Sequence, residues 1–268
     1  MKNKIKATTD IASINKHQSL VEAMDIMEKR HISHLLVREN DEIIGIVTGR
    51  DIARKLADAH DLATENKMRE THFHVSSSVI MDLKTISPDT GIIDAAKMMI
   101  EDSVSALPIV EDGKITGIVT KTDLIKELVN SKKKIGDFYR KKPLELPPGT
   151  TIVHARKAMI DAGVNLLLVV DDDVLKGILS EKDIASGLRE FRRALDKYKH
   201  ADIHRLKVDD FMTRGPATIT KDDTVSDAVK IMLDRKISGL PVVSGTSLVA
   251  GILTKTDLVK GMAEGELP

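Results

Sequence analysis

Gly117-Ile118-Val119-Thr120-Lys121-Thr122-Asp123 and Gly251-Ile252-Leu253-Thr254-Lys255-Thr256-Asp257 are nearly the same heptapeptide, met twice in 268 residues. Two looser copies are Gly45-Ile46-Val47-Thr48-Gly49-Arg50-Asp51 and Gly177-Ile178-Leu179-Ser180-Glu181-Lys182-Asp183. In each, an apolar strand runs into a hydroxyl, and a carboxylate follows three residues later, at the start of a helix. That spacing makes a helix cap with or without a ligand. Upstream, each copy is preceded by an Ala-x-x-x-Met helix: Ala23/Met27, Ala95/Met99, Ala155/Met159 and Ala228/Met232. Alanine to glycine spans 22 residues in the first three copies and 23 in the last. A repeat this regular decides the fold before any other feature.

Each unit reads strand, helix, strand, strand, helix. In repeat two, Lys84–Ser87 reads as a short strand, and Asp89 or Thr90 as the cap of the next helix. Ile92, Ile93, Ala96, Met99 and Ile100 form one apolar stripe of that helix. Ala106–Val110 and Lys114–Thr120 are strands joined by Asp112-Gly113, a two-residue hairpin signal. The corresponding strand pairs are Leu35–Arg38 with Glu42–Val47, Leu166–Val170 with Val174–Leu179, and Leu240–Val243 with Leu248–Leu253. The extra residue of repeat four fits best in its turn, near Ser244-Gly245. The methionines read as core filling. Glycine-to-glycine spacings of 72, 60 and 74 pair repeat one with two and three with four. The expected boundaries are 1–60, 79–131, 132–190 and 207–268, in modules 1–131 and 132–268. One repeat cannot bury its own apolar faces, so the pairs are the expected folding units.

Lys+Arg and Asp+Glu are 41 each, so there is no net basic excess for phosphate neutralisation. With no cysteine, disulfides and thiolate metal sites are excluded. Four Phe, two Tyr and no Trp leave an aliphatic core and no stacking platform for single strands. MKNKIKATTD has no apolar run of signal-peptide length, and no window nears the ~18 apolar residues of a membrane span. The expectation is a cytoplasmic protein.

The unit ending in Gly-apolar-apolar-Thr/Ser-x-x-Asp resembles the CBS domain. The resemblance covers nearly the whole chain. Val208-x-Asp210-Phe211-Met212-Thr213 matches the family's lead-in to repeat four, whereas repeat one has no clear version of it. Four copies in one chain are similar to archaeal stand-alone four-CBS proteins and to the γ subunit of AMP-activated protein kinase. The implied fold is α+β, with four β-α-β-β-α repeats in two CBS pairs forming a flat disk with pseudo-two-fold symmetry. The implied role is a non-catalytic regulatory sensor. It would bind AMP, ADP, ATP or a related adenosine ligand such as S-adenosylmethionine in the pair clefts, with no required cofactor. Output would pass to an unknown protein partner or a homodimer.

The resemblance also implies site residues. Each aspartate takes the ribose hydroxyls, the Thr or Ser faces ribose or phosphate, and apolar residues of both repeats hold the base. The Asp51 site takes Ile46 and Thr48 with Val104 and Ser105. The Asp123 site takes Ile118, Thr120, Lys121 and Thr122 with Ala12, Ile32, Ser33 and His34. The Asp183 site takes Ile178 and Ser180 with Ile237 and Ser238. The Asp257 site takes Ile252, Thr254, Lys255 and Thr256 with Leu144, Val164 and Asn165. The chemistry is reasonable on its own terms. A carboxylate accepts two charge-assisted bonds from a diol, helix N–H groups face an anion, and apolar burial adds ~25 cal/mol per Å². Micromolar binding, about −8 kcal/mol, follows.

The copies are not equal. Ser33, Ser105, Asn165 and Ser238 stand where the kinase subunit often has His or Arg, which implies weaker hold on di- and triphosphates. Arg50 and Lys182 replace the second threonine in two copies. Glu145 stands where repeats two and four have Thr85 and Thr218, favouring a cation or sulfonium near Asp257. The Asp123 site is therefore expected to be the best equipped. No metal site is expected from His72-x-His74 or Asp171-Asp172-Asp173. His31 reads as a surface residue. The basic stretch 189–207 is the alternative, a nucleic-acid surface, but its acidic neighbours make a solvated face the simpler reading. No phosphate-loop, dinucleotide, zinc-protease or serine-hydrolase motif is found, so catalysis is not expected.

Overall fold

The computed structural model describes residues 5–52, 54–55, 73–187, 205–245 and 248–268. Its elements repeat in the expected order. Repeat one holds β1 (Ser13–Asn15), α1 (Leu20–Arg30), β2 (His34–Glu39), β3 (Glu42–Thr48) and a helical turn at 49–52. Repeat two holds α2 (Ile92–Glu101), β4 (Ala106–Glu111), β5 (Lys114–Thr120) and α3 (Lys121–Ile125). Repeat three holds β6 (Glu145–Leu146), α4 (Ile152–Asp161), β7 (Leu166–Asp171), β8 (Val174–Ser180) and helix 181–187. Repeat four holds α5 (Val208–Phe211), β9 (Thr213–Arg214), α6 (Val225–Asp234), β10 (Gly239–Ser244), β11 (Leu248–Thr254) and α7 (Lys255–Ala263).

Each repeat is built on an antiparallel hairpin. Asn40-Asp41, Asp112-Gly113 and Asp172-Asp173 all have positive φ at both turn residues, the primed turn that suits the strands' twist. The fourth turn is one residue longer, between Ser244 and Leu248, where the extra residue was expected. Every hairpin shifts register beside the motif glycine, at Val37/Arg38, Ile109/Val110, Val169/Val170 and Val242/Val243. Met27, Met99, Met159 and Met232 are buried, as the spacing required.

Some local expectations are corrected. The first helix of repeat two is capped by Gly91, not Asp89 or Thr90. Thr90 Oγ1 instead accepts the Ser87 N–H at 3.1 Å and closes a turn. Repeats one, three and four keep a hydroxyl cap in Ser19, Thr151 and Thr224. Lys84–Ser87 is no strand; only Ile86 bridges to Ile109. Ile93 is exposed, and Ala95 takes its place in the core. Repeat one does have a lead-in, because Thr8 bridges to Ile118.

The lead-ins explain the motif glycines. Thr8 pairs with Ile118, Ile80 with Ile46, Arg140 with Ile252 and Thr213 with Ile178. In every case a lead-in covers the sheet edge of the other repeat in its pair, beside the motif glycine. A Cβ on Gly251 would stand 2.2 Å from Arg140 O, on Gly45 2.5 Å from Ile80 O, and on Gly177 2.9 Å from Thr213 O. Only glycine lets the crossing backbone come so close.

The repeats close a ring in the order one, two, four, three, giving the expected disk. Leu36 and Ile46 pack on Ala106 and Ile118 between repeats one and two, and Leu166 and Leu168 on Ile252 between three and four. Repeats two and four share the largest core, from Met99, Leu124 and Leu128 to Leu258, Val259 and Met262. The main core therefore crosses from one pair to the other. Repeats one and three keep separate cores. Among the described residues their contacts include two polar bonds: Arg50 Nε donates to Glu181 at 3.2 Å, and Arg156 donates to the Arg54 carbonyl at 2.7 Å.

Candidate functional site

All four hydroxyl–carboxylate turns form the cap that their spacing demands. Asp51 Oδ2 accepts from Thr48 N at 3.0 Å and Oγ1 at 2.6 Å. For Asp123 and Thr120 the distances are 2.9 and 2.8 Å, and for Asp183 and Ser180 2.7 and 2.6 Å. For Asp257 and Thr254 they are 2.7 and 2.6 Å. One carboxylate oxygen is thus fully used by the chain itself. A carboxylate has about four lone-pair sites, so the cap leaves the two on Oδ1.

The remaining oxygen distinguishes the copies. Lys126 Nζ, on the same helical segment, reaches Asp123 Oδ1 at 2.8 Å. Arg140 Nε, from the lead-in of repeat three, reaches Asp257 Oδ1 at 3.2 Å. Neither Lys126 nor Arg140 was among the residues singled out from the sequence. Arg140 is nearly 120 positions from Asp257 in the chain, and only the crossed lead-in brings them together.

The residues that follow the hydroxyls converge where the four repeats meet. Lys121 Nζ donates to Thr256 Oγ1 at 3.1 Å, and Lys255 Nζ donates to Thr122 Oγ1 at 2.9 Å. This reciprocal exchange across the pseudo-two-fold axis accounts for Lys-Thr-Asp being written identically in repeats two and four. Burial and neighbouring cations lower both lysines to about 8. Arg50 is the cation beside Lys121, and Lys182 and Lys126 are those beside Lys255. His34 Nε2 lies 2.7 Å from Ser105 Oγ, and its Nδ1 lies 3.2 Å from Ser33 Oγ. Burial, then Lys182 and Lys121, lower His34 to about 4, so it is neutral at pH 7. Burial raises Glu181 against the opposing pull of Arg50.

The apolar candidates lie near these groups but pack mainly on their own repeats. Ala12 and Ile32 rest on the core of repeat one, Leu144 and Val164 on that of repeat three, and Val104 and Ile237 on the shared core. Ile46, Ile118, Ile178 and Ile252 line the interfaces within the pairs. The carbonyls of Ser33, Ser105, Asn165 and Ser238 each accept the N–H of the residue after their own repeat's hydroxyl, at 2.9–3.2 Å. Glu145 pairs with Leu168 in the sheet, and burial raises its carboxyl.

Among the described residues, no group of three or more His, Cys, Asp or Glu could hold a metal. None of their helices is long and apolar enough to cross a membrane. His72 and most of the basic stretch 189–207 lie outside the described residues.

Comparison with known proteins agrees with this geometry. The chain is 27% identical over 270 residues to the uncharacterized protein MJ1404 of Methanocaldococcus jannaschii, covering 96% of this chain and 61% of that protein. It is 24% identical to MJ1225 of the same organism, over 84% of each. The crystal structure of MJ1225, described as a proposed archaeal homologue of the AMPK γ subunit, superposes with a TM-score of 0.85. That match has 21% identity and covers 95% of this chain and 97% of that one. An uncharacterized conserved protein of Pyrococcus horikoshii matches with a TM-score of 0.66 and 22% identity, over 98% and 100% of the two chains. The CBS domain profile matches residues 4–58, 75–130, 135–190 and 208–264, so this chain belongs to the CBS-domain family.

Proposed function

We propose that this chain is a non-catalytic regulatory sensor binding an adenine nucleotide, or a related adenosine ligand such as S-adenosylmethionine, in its CBS-pair clefts. The observation that carries the reading is the convergence of Lys121, Lys255, Thr122 and Thr256 from two repeats beside Asp123 and Asp257. The two lysines have neutral hydroxyls as hydrogen-bond acceptors, and burial first, then neighbouring cations, disfavours their charged form. A phosphate near the axis would supply a compensating negative charge, while a ribose diol would meet Oδ1 of an aspartate, in competition with Lys126 at Asp123 and Arg140 at Asp257. The ligand would contact more than one repeat, biasing their relative placement, and a partner protein or a second copy would read the change.

A thermal-shift series with AMP, ADP, ATP, S-adenosylmethionine and adenosine tests this. A ligand at 100 times its dissociation constant stabilises by about 2.7 kcal/mol if only the folded state binds it. A shift of several degrees with at least one of these ligands is expected. A flat response to all five would reduce the four turns to helix caps.

A further inference from the structure

The four lead-ins place equivalent residues over equivalent strands: Thr8, Ile80, Arg140 and Thr213. Each stands at the motif isoleucine of the partner repeat. Three of these side chains are neutral and short or apolar. Arg140 alone can send a cation to the site aspartate, and it does so. Its backbone is held at both ends, with Arg140 N donating to Ile252 O at 2.9 Å and Ile252 N donating to Arg140 O at 3.0 Å. Tyr139 beside it packs against the shared core. The guanidinium thus reaches Asp257 from a backbone anchored on the opposite repeat, with the Arg140 side chain 42% exposed and that of Asp257 13%.

Two of the four acceptor sites of Asp257 serve the cap, and Arg140 takes one of the two that remain. A vicinal diol needs both. Lys126 at Asp123 differs in origin. It belongs to the same helical segment, three residues on, so the repeat that carries Asp123 supplies its own cation, whereas Arg140 comes from the other repeat of the pair. An arginine also holds a carboxylate better than a lysine, being more weakly hydrated and pre-shaped as a fork.

We infer that Arg140 is the specificity-determining residue of the Asp257 site, competing with a ligand's vicinal hydroxyls and making this site unequal to its Asp123 twin. The inference rests on the adenosine reading above. Calorimetric titration of the full chain with AMP tests it. Arg140→Thr, which installs the residue found at two equivalent positions, should tighten one binding event by about tenfold, the scale of one charge-assisted hydrogen bond. Asp257→Asn added to Arg140→Thr should abolish that gain, as a coupled pair requires. Arg140→Gln keeps the stem and should give a similar gain, which guards against a folding defect specific to threonine. AMP binding by the native chain that stays unchanged in both Arg140 variants would overturn the inference alone. A gain that persists with Asp257→Asn would also overturn it. Absence of AMP binding in every variant would overturn both the inference and the nucleotide reading.

Discussion

Two seams join the CBS pairs, and they are made of different materials. Between repeats two and four, helices α2 and α7 and their neighbours share one continuous core in which Met99, Leu124, Leu128, Leu258 and Met262 are fully buried. Between repeats one and three, the bonds among the described residues include Arg50–Glu181 and Arg156 to the Arg54 carbonyl. This second seam holds a cavity of about 40 Å³, lined by the charged Arg50, Arg54, Arg156 and Glu181 and by the apolar Met159, Ile160, Val164 and Ile184. The first seam gains stability from apolar burial. The Arg50–Glu181 pair of the second gains little, because a part-exposed ion pair contributes ~0–1 kcal/mol.

The largest expected difference sets one seam against the other. Met262→Ala should cost ~2–5 kcal/mol in urea denaturation, since it leaves a void in a core that both pairs share. Glu181→Ala should cost less than ~1 kcal/mol, because Arg50 can return to water and burial already opposes the Glu181 charge. Equal costs would break the comparison.

The crossed lead-ins extend it. Gly251→Ala pushes a methyl into Arg140 O at 2.2 Å and the Tyr139 ring at 2.5 Å, and should cost ~1–3 kcal/mol. Gly117→Ala meets Ala7 Cβ at 3.2 Å and should cost clearly less in the same assay.

Where the seams meet, protonation should be visible. His34 titrates near 4 in the folded chain and near 6.5 unfolded. Below pH 6.5 the unfolded state binds the extra proton, so stability falls as pH drops from about 6.5 to about 4. A loss of ~1–2 kcal/mol is expected, allowing for partial exposure. His34→Gln should flatten that part of the stability–pH curve.

The smallest effect concerns the axial lysines. Lys255 titrates near 8 folded and 10.5 unfolded, so stability should rise between those values as the folded state sheds its proton first. Lys255→Met should remove part of that rise and stabilise the ligand-free chain by less than ~1 kcal/mol at pH 7. In thermal shift it should weaken the response to AMP and leave that to adenosine unchanged.

Much of this was legible in the residues. The hairpins, their primed turns, the buried methionines and the four caps all depend on contacts a few positions apart, which local spacing records. Thr90 misled because a turn with Ser87 competes for the same hydroxyl as the helix, and sequence alone does not rank the two. Lys121 and Lys255 were recognisable as candidates, but their exchange of threonines was not. Nothing in either heptapeptide says that the other lies across an axis. Arg140 left no local signal, since it is one cation in a run that includes Lys141 and Lys142.

The sequence by itself determined the repeat, its β-α-β-β-α order and the position of each aspartate at a strand-to-helix turn. These follow from apolar period and capping geometry within a few residues. Only the tertiary structure decided which repeats share a core, which lead-in covers which sheet, and which cation meets which carboxylate. Those outcomes depend on how four similar apolar surfaces divide among one another, and that is a property of the closed ring rather than of any one repeat.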